Sequence, residues 1–151
     1  MRIYISDLSF SYDLHSLTKA FFQSEDVEVK EWGSEISNNV EAFYYRVETP
    51  DGEVKEVRVE NCGEDRPQFK NKVKREIYII LSELTGKKLP WGTLTGIRPT
   101  KLPMAMILDK KSDDEISTFL KDTYLVTDEK IGLSTNIAKK EVGILESLHG
   151  D

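Results

Sequence analysis

The stretch VEAFYYRVETPDGEVKEVRVEN, residues 40–61, decides the fold of the first half of the chain. Apolar and polar residues alternate on both sides of TPDG, which is typical of two strands that each bury one face. Pro50 and Gly52 suit a tight turn between them, because proline presets φ and glycine accepts a positive φ. The stretch therefore predicts a β-hairpin. Its core face would carry Phe43, Tyr45, Val47, Val57 and Val59, and its outer face Tyr44, Arg46, Glu56 and Arg58.

The residues before the hairpin predict a helix between two further strands. RIYIS at 2–6 and VEVKEW at 27–32 alternate as half-buried strands do. Between them, residues 13–22 place their apolar side chains on one helical stripe, with Asp13 at the N-cap position. A strand, a helix and a strand are therefore expected before the hairpin.

A long helix is predicted after the hairpin. Asp65 suits its N-cap, Pro67 its first turn and Gly86 its C-terminal stop. We therefore expect residues 1–86 to form an α+β subdomain of β-α-β-β-β-α order, in which this helix packs on a small antiparallel sheet. The apolar stripe of the helix recurs at three- and four-residue steps and consists of Phe69, Val73, Ile77, Leu81 and Leu84.

Residues 87–151 predict a small helical subdomain. An apolar helix is expected over 99–108, and Ser112 and Glu115 form a capping box that begins a second helix. The segment TDEK at 127–130 begins a third helix. The core positions expected here are Ile116, Phe119 and Leu120 in the second helix and Ile131, Ile137, Ala138, Leu145 and Leu148 in the third.

The charge and hydropathy of the chain argue against binding to nucleic acid or to a membrane. Its net charge is −6, and its Lys and Arg residues are interspersed with Asp and Glu. A nucleic-acid surface draws its affinity from clustered cations, so nucleic-acid binding is not expected. The longest aliphatic run, residues 77–81, is far shorter than the roughly 20 residues of a membrane span. Because no signal peptide is visible at the start, we expect a cytoplasmic protein.

Catalytic motifs are absent from the sequence. It contains no nucleophile elbow, Walker loop, dinucleotide fingerprint or HExxH motif. Cys62 is the one cysteine, which excludes an internal disulfide and any zinc or iron–sulfur site that needs several thiolates from this chain. We therefore expect no catalytic residue, metal site or cofactor in this chain.

The segment LPWGTLTGIRPTK at 89–101 has an unusual composition for a connection between two helices, with a tryptophan, two glycines and two cations. A helix that starts after it would present unpaired N–H groups, and the cations beside that start could hold a carboxylate or a phosphate. The tryptophan adds a flat apolar surface, and the glycines allow a close backbone approach. The alternative is an interdomain hinge whose cations pair with acidic groups of the same chain. The candidate anion-binding residues are Trp91, Gly96, Arg98 and Lys101.

Three stretches together resemble a known family of enzymes. They are KREIYIILSEL at 74–84, ELTGKKLPWGTLTGIRPTKL at 83–102 and YLVTDEKIGLSTNIAKKE at 124–141. They are similar to the region that precedes the catalytic barrel in oxygen-independent coproporphyrinogen III oxidase-like proteins of the HemZ type. The resemblance covers mainly residues 70–146, and WGTLTGIRPTK is its most specific part.

The resemblance implies a longer parent enzyme of heme biosynthesis. The family uses a radical S-adenosylmethionine barrel, whose CxxxCxxC motif holds a [4Fe–4S] cluster, and it oxidatively decarboxylates coproporphyrinogen III to protoporphyrinogen IX. That motif is absent here, so the cluster and S-adenosylmethionine are implied only for the parent protein. The implied role of this chain is that of an N-terminal part. It would pack on its own C-terminal barrel or contact the propionates of the porphyrinogen through Arg98 and Lys101.

A free-standing RNA- or protein-binding module is the alternative function. Tyr44 and Arg46, on the outer face of the predicted hairpin, are residue types that stack on bases. The acidic balance of the chain weighs against RNA.

Overall fold

A computed structural model describes residues 1–32, 42–94 and 101–149 of the chain. The chain divides into two compact units, Met1–Leu89 and Pro90–Asp151. The division falls three residues beyond the predicted boundary because residue Leu89 is tied to the first unit. Its N–H donates to the Tyr78 hydroxyl at 2.9 Å, and that hydroxyl lies 3.5 Å from its carbonyl oxygen.

The described residues of the first unit form a four-stranded sheet and two helices, which confirms the α+β class. The strands lie in the order β2-β1-β3-β4. The elements follow the predicted chain order and are β1 (Arg2–Ile5), α1 (Ser11–Phe21), β2 (Glu28–Glu31), β3 (Ala42–Glu48), β4 (Val54–Glu60) and α2 (Arg66–Thr85).

The sheet differs in one respect from the antiparallel sheet that the sequence predicted. Strand β1 pairs with β3 and β3 with β4 in antiparallel fashion, but β1 and β2 are parallel. A helix between two neighbouring strands returns the chain to the edge where the first strand began, so the two strands run the same way. The α1 crossover therefore makes the sheet mixed.

The hairpin has the predicted faces, and the structure gives its register. Phe43 lies opposite Val59 and Tyr45 opposite Val57. In the turn, the Gly52 N–H donates to the Thr49 carbonyl at 3.1 Å, and Gly52 has a φ of +91°. The alternation of the sequence therefore set both the pairing and the buried face.

The core of the first unit lies between one sheet face and the two helices. The rings of Phe10 and Phe43 stack at 4.7 Å. The hydroxyls of Thr18 and Tyr45 are 3.0 Å apart in the interior, where burial raises the pKa of the tyrosine. The fully buried residues of this core include Ile3, Ile5, Leu14, Leu17, Phe21, Val47, Val73, Ile77 and Leu81.

The helix ends of the first unit confirm one prediction and correct another. Helix α2 has the predicted Asp65 cap, whose side chain accepts from the Gln68 N–H at 2.9 Å, and it ends at Gly86 with φ at +69°. Helix α1 instead begins at Ser11, so Asp13 lies in its first turn and not at its N-cap. A short 3₁₀ turn at Leu8–Phe10 precedes α1, so the chain is already helical before Asp13.

The described residues of the second unit form three helices, α3 (Lys101–Leu108), α4 (Asp113–Tyr124) and α5 (Asp128–His149). The predicted capping box begins α4: the Ser112 hydroxyl accepts from the Glu115 N–H at 3.1 Å. The hydrogen bonds of the Ser112 backbone and side chain to the Glu115 carboxylate lower its pKa. The core of this unit, the helical core below, consists of Leu94, Ile116, Leu120, Val126 and Ile131.

Several predicted core positions of the second unit were wrong. Phe119, Ile137 and Leu145 are exposed, and the side chain of Leu148 lies outside the described residues. The predicted Ile131 and Ala138 of α5 are buried, but the apolar residues of this helix occupy two faces and the prediction merged them. The buried residues of α5 are Ile131, Ser134, Thr135, Ala138 and Val142.

Candidate functional site

The candidate anion site is partly within the described residues. Trp91 is half-buried near the start of the second unit, and Lys101 is exposed as the first residue of α3. Gly96 and Arg98 lie outside the described residues. The described parts of the site are therefore its two ends, residues 90–94 and the start of α3.

The segment before the site is fixed to the connection between α4 and α5. The Thr93 N–H donates to the Tyr124 carbonyl at 2.7 Å, and the Thr93 hydroxyl donates to the same oxygen at 3.3 Å. The N–H and hydroxyl of Thr127 donate to the Pro90 carbonyl at 3.0 and 3.1 Å. Thr93 was not among the predicted site residues, since contacts to backbone oxygens leave no periodic pattern in the sequence.

Gly92 is required by this packing. Its φ is +58°, a left-handed conformation that favours glycine. A Cβ at this position would lie 1.9 Å from the Tyr124 carbonyl oxygen and 2.5 Å from the Leu125 carbonyl carbon. The close backbone approach expected of this glycine is therefore an approach to its own chain.

Trp91 contributes to the helical core of the second unit. Its side chain packs against that core beside Tyr124, and the Lys130 ammonium lies 5.7 Å from its ring centroid. A cation over the face of tryptophan is attracted by the ring quadrupole. The tryptophan thus links the segment before the site to α5.

The segment after the site is anchored to the same core. Leu102, Met106 and Ile107 of α3 pack against the cluster that also contains Leu94. Residues 95–100 therefore connect two segments that are both fixed within one unit. The exposed Lys101 ammonium is available to an anion in solution, and both interpretations of the loop, anion site and hinge, stay predictions.

The outer face of the sheet carries the aromatic residues behind the RNA-binding alternative. The rings of Trp32 and Tyr44 meet edge to face at 6.0 Å, and the Arg58 guanidinium lies 5.8 Å from the Tyr44 ring centroid. Trp32 and Tyr44 are half-buried in this face.

Carboxylates accompany the arginines on this face. Arg46 lies 3.5 Å from both Glu48 and Glu56, and Arg58 pairs with Glu60. Because each guanidinium has an acidic neighbour, the face lacks the uncompensated positive charge on which RNA affinity depends. The alternative remains a prediction that this charge balance disfavours.

The thiol of the chain does not fit an iron–sulfur cluster. Cys62 is exposed, and its sulfur lies 3.8 Å from the Lys72 ammonium, which donates to Glu64 at 2.9 Å. That hydrogen bond raises the pKa of Lys72 and lowers the pKa of Glu64. A [4Fe–4S] cluster is held by several thiolates, and one cysteine cannot supply them.

The described part of the chain lacks two further features. Within 1–32, 42–94 and 101–149, no three His, Cys, Asp or Glu side chains are grouped so that they could hold a metal ion. None of the helices described there is long and apolar enough to span a membrane.

Comparison with known proteins gives one informative match. The chain is 35% identical over 82 residues to the oxygen-independent coproporphyrinogen-III oxidase-like protein HemZ of Bacillus subtilis (strain 168). The match covers 54% of this chain but spans 16% of the relative's length. No protein-family model and no solved structure match the chain. The match supports a relation to coproporphyrinogen oxidase-like proteins.

Proposed function

We propose that this chain is the N-terminal, non-catalytic part of a longer oxidoreductase of heme biosynthesis. The observation that carries the proposal is the 35% identity over 82 residues to the HemZ protein. The longer protein would be a radical S-adenosylmethionine enzyme that oxidatively decarboxylates coproporphyrinogen III to protoporphyrinogen IX. Its [4Fe–4S] cluster and S-adenosylmethionine would be held by residues outside this chain.

The reading frame of the parent gene separates this proposal from the alternative of a free-standing binding module. A CxxxCxxC motif encoded soon after residue 151 is the expected result, because three thiolates are needed for the cluster. A stop codon directly after residue 151 would contradict the proposal and favour the module.

The role of the loop at 91–101 in this enzyme is to help hold a propionate of the substrate. Lys101 is exposed at the first residue of α3, where helix N–H groups and the helix dipole favour an anion. Arg98 adds a guanidinium that can grip a carboxylate with two hydrogen bonds. The anchoring of Thr93 to Tyr124 supports this role, because a fixed segment holds its neighbours in place at low entropic cost.

Substitution of the two cations in the full-length enzyme tests this role. We expect Arg98→Ala to raise the apparent KM for coproporphyrinogen III, since a lost charge-assisted hydrogen bond costs about 1.5–3 kcal/mol. Lys101→Ala should raise it less, because an ammonium lacks the planar fork of arginine. The matched control is Lys88→Ala, which removes an exposed lysine outside the loop and should leave KM unchanged.

Two results would contradict the proposal at different levels. An Arg98→Ala, Lys101→Ala double variant with an intact cluster and unchanged kinetics would leave the loop as a hinge. A wild-type full-length protein that carries its cluster but does not convert coproporphyrinogen III would reject the proposed reaction.

A further inference from the structure

Helix α5 carries a row of aliphatic side chains on its solvent side. They are Leu133, Ile137 and Ile144, with 46, 39 and 61% of their surfaces exposed. Their spacing of four and seven residues places them on one face, because each helical residue turns by about 100°. We call these three residues the outer stripe.

The other side of α5 is the one that packs within the second unit. Ile131, Ser134, Thr135, Ala138 and Val142 are buried there. Aliphatic side chains of this helix thus occupy both the buried side and the solvent side. A helix that is apolar on both sides is typical of one that is buried on both sides.

The outer stripe leads into a groove between α3 and α5. The groove has a volume of 350 Å³ and is lined by Met104, Glu141, Ile144 and Leu145. Leu145 is exposed like its neighbour Ile144. The stripe and the groove share Ile144 and lie on one unit, and exposed apolar surfaces mark sites of protein contact.

We propose that the outer stripe and this groove dock onto the catalytic part of the same longer polypeptide. The match to the HemZ protein spans 16% of that relative, so most of a related polypeptide lies outside the matched region. A partner tethered in the same chain has a high effective concentration and needs only a modest apolar contact to stay docked. The proposal rests on the proposed function in requiring that this chain be part of a longer protein.

The occupant must present an apolar surface to α5. Residues spaced by four and seven along a helix fill an apolar groove or pack against a second helix. A second copy of this chain is the competing occupant, and it is separated from the proposal by the concentration dependence below.

Thiol labelling of the full-length protein tests the docking directly. Leu133→Cys and Ile144→Cys place thiols in the surface, and Ile79→Cys places one on α2 at a position with the same 46% exposure as Leu133. Iodoacetamide labelling followed by peptide mass spectrometry gives the rate at each position. We expect the two α5 thiols to react about tenfold more slowly than the thiol at position 79, because they react only when the surface opens. The exposed native Cys62 serves as an internal reference, and all the thiols should react alike after denaturation.

Three outcomes are distinguishable. Equal rates at positions 79, 133 and 144 in the folded protein would overturn the docking, whether or not the enzyme is active. Protection that disappears on dilution would also overturn it, since it would assign the surface to a second copy. Concentration-independent protection in a protein that fails to convert coproporphyrinogen III would support the docking and reject only the proposed reaction.

Discussion

The two units of this chain arrange their exposed apolar side chains differently, since the first unit exposes Ile79 on α2 and the second exposes the three residues of the outer stripe on one face of α5. In the first unit, the sheet and two helices enclose Leu17, Phe21 and Ile77, which have no exposed surface. In the second unit, the helical core is enclosed as well, but Leu133 and Ile144 of the longest helix remain in solvent. An apolar helical pattern thus does not by itself tell whether a residue belongs to the core of its own unit.

The first prediction concerns the unit that encloses its own core. Ile77→Asp would place an unpaired charge among fully buried residues, which is expected to cost about 3–5 kcal/mol of unfolding free energy. The effect can be measured by urea unfolding followed through Trp32 fluorescence in a Trp91→Phe background, since the chain has one tryptophan in each unit.

Ile79→Asp is the control for this prediction. Ile79 lies two residues further along α2 and is exposed, so its replacement should cost less than about 1 kcal/mol. Similar losses for the two variants would mean that the enclosed core of the first unit is not where the structure places it.

The second prediction tests whether the segment before the anion site is held by contact with its own chain. Gly92→Ala should destabilise the second unit by about 1–3 kcal/mol from backbone strain, with the clash against Tyr124 and Leu125 in addition. Gly86→Ala in the first unit is the matched variant: its φ is +69°, but no atom lies within 4 Å of the new Cβ. Urea unfolding of each variant is followed through the tryptophan of the unit that carries the substitution. The difference between the two losses of unfolding free energy reports the clash.

If Gly92→Ala lowers the unfolding free energy no more than Gly86→Ala does, the close contact of position 92 with Tyr124 and Leu125 is contradicted. The segment before the anion site would then be free to move relative to α4 and α5, which favours the hinge interpretation of the loop.

The first unit was largely predictable because its signals are local. Alternation over 40–61 set the hairpin and its faces, and Asp65 and Gly86 marked the ends of the long helix. The parallel pairing of β1 and β2 was missed, since a strand's partner depends on the path of the intervening helix and leaves no mark on the strand itself. The start of α1 was missed by two residues because a 3₁₀ turn precedes it.

The second unit was less predictable for a different reason. Helix periodicity shows that Ile137 and Leu145 lie on apolar positions, but it does not distinguish a core face from a face reserved for another partner. Residues Ser134 and Thr135 were not expected inside because polar residues are mostly exposed. Of the candidate site, the sequence predicted the helix that begins near Lys101, while the hydrogen bonds of Thr93 became visible only in the structure.

The claim that further chain covers the outer stripe of α5, and leaves the first unit unchanged, is tested by hydrogen exchange. Amide exchange is measured in residues 1–151 alone and in the full-length protein under the same conditions. The amides of α5 should exchange about tenfold more slowly in the full-length protein, whereas those of β3 and α2 should exchange at the same rates in both. Identical α5 rates in the two proteins would contradict the claim and leave the outer stripe as an exposed surface.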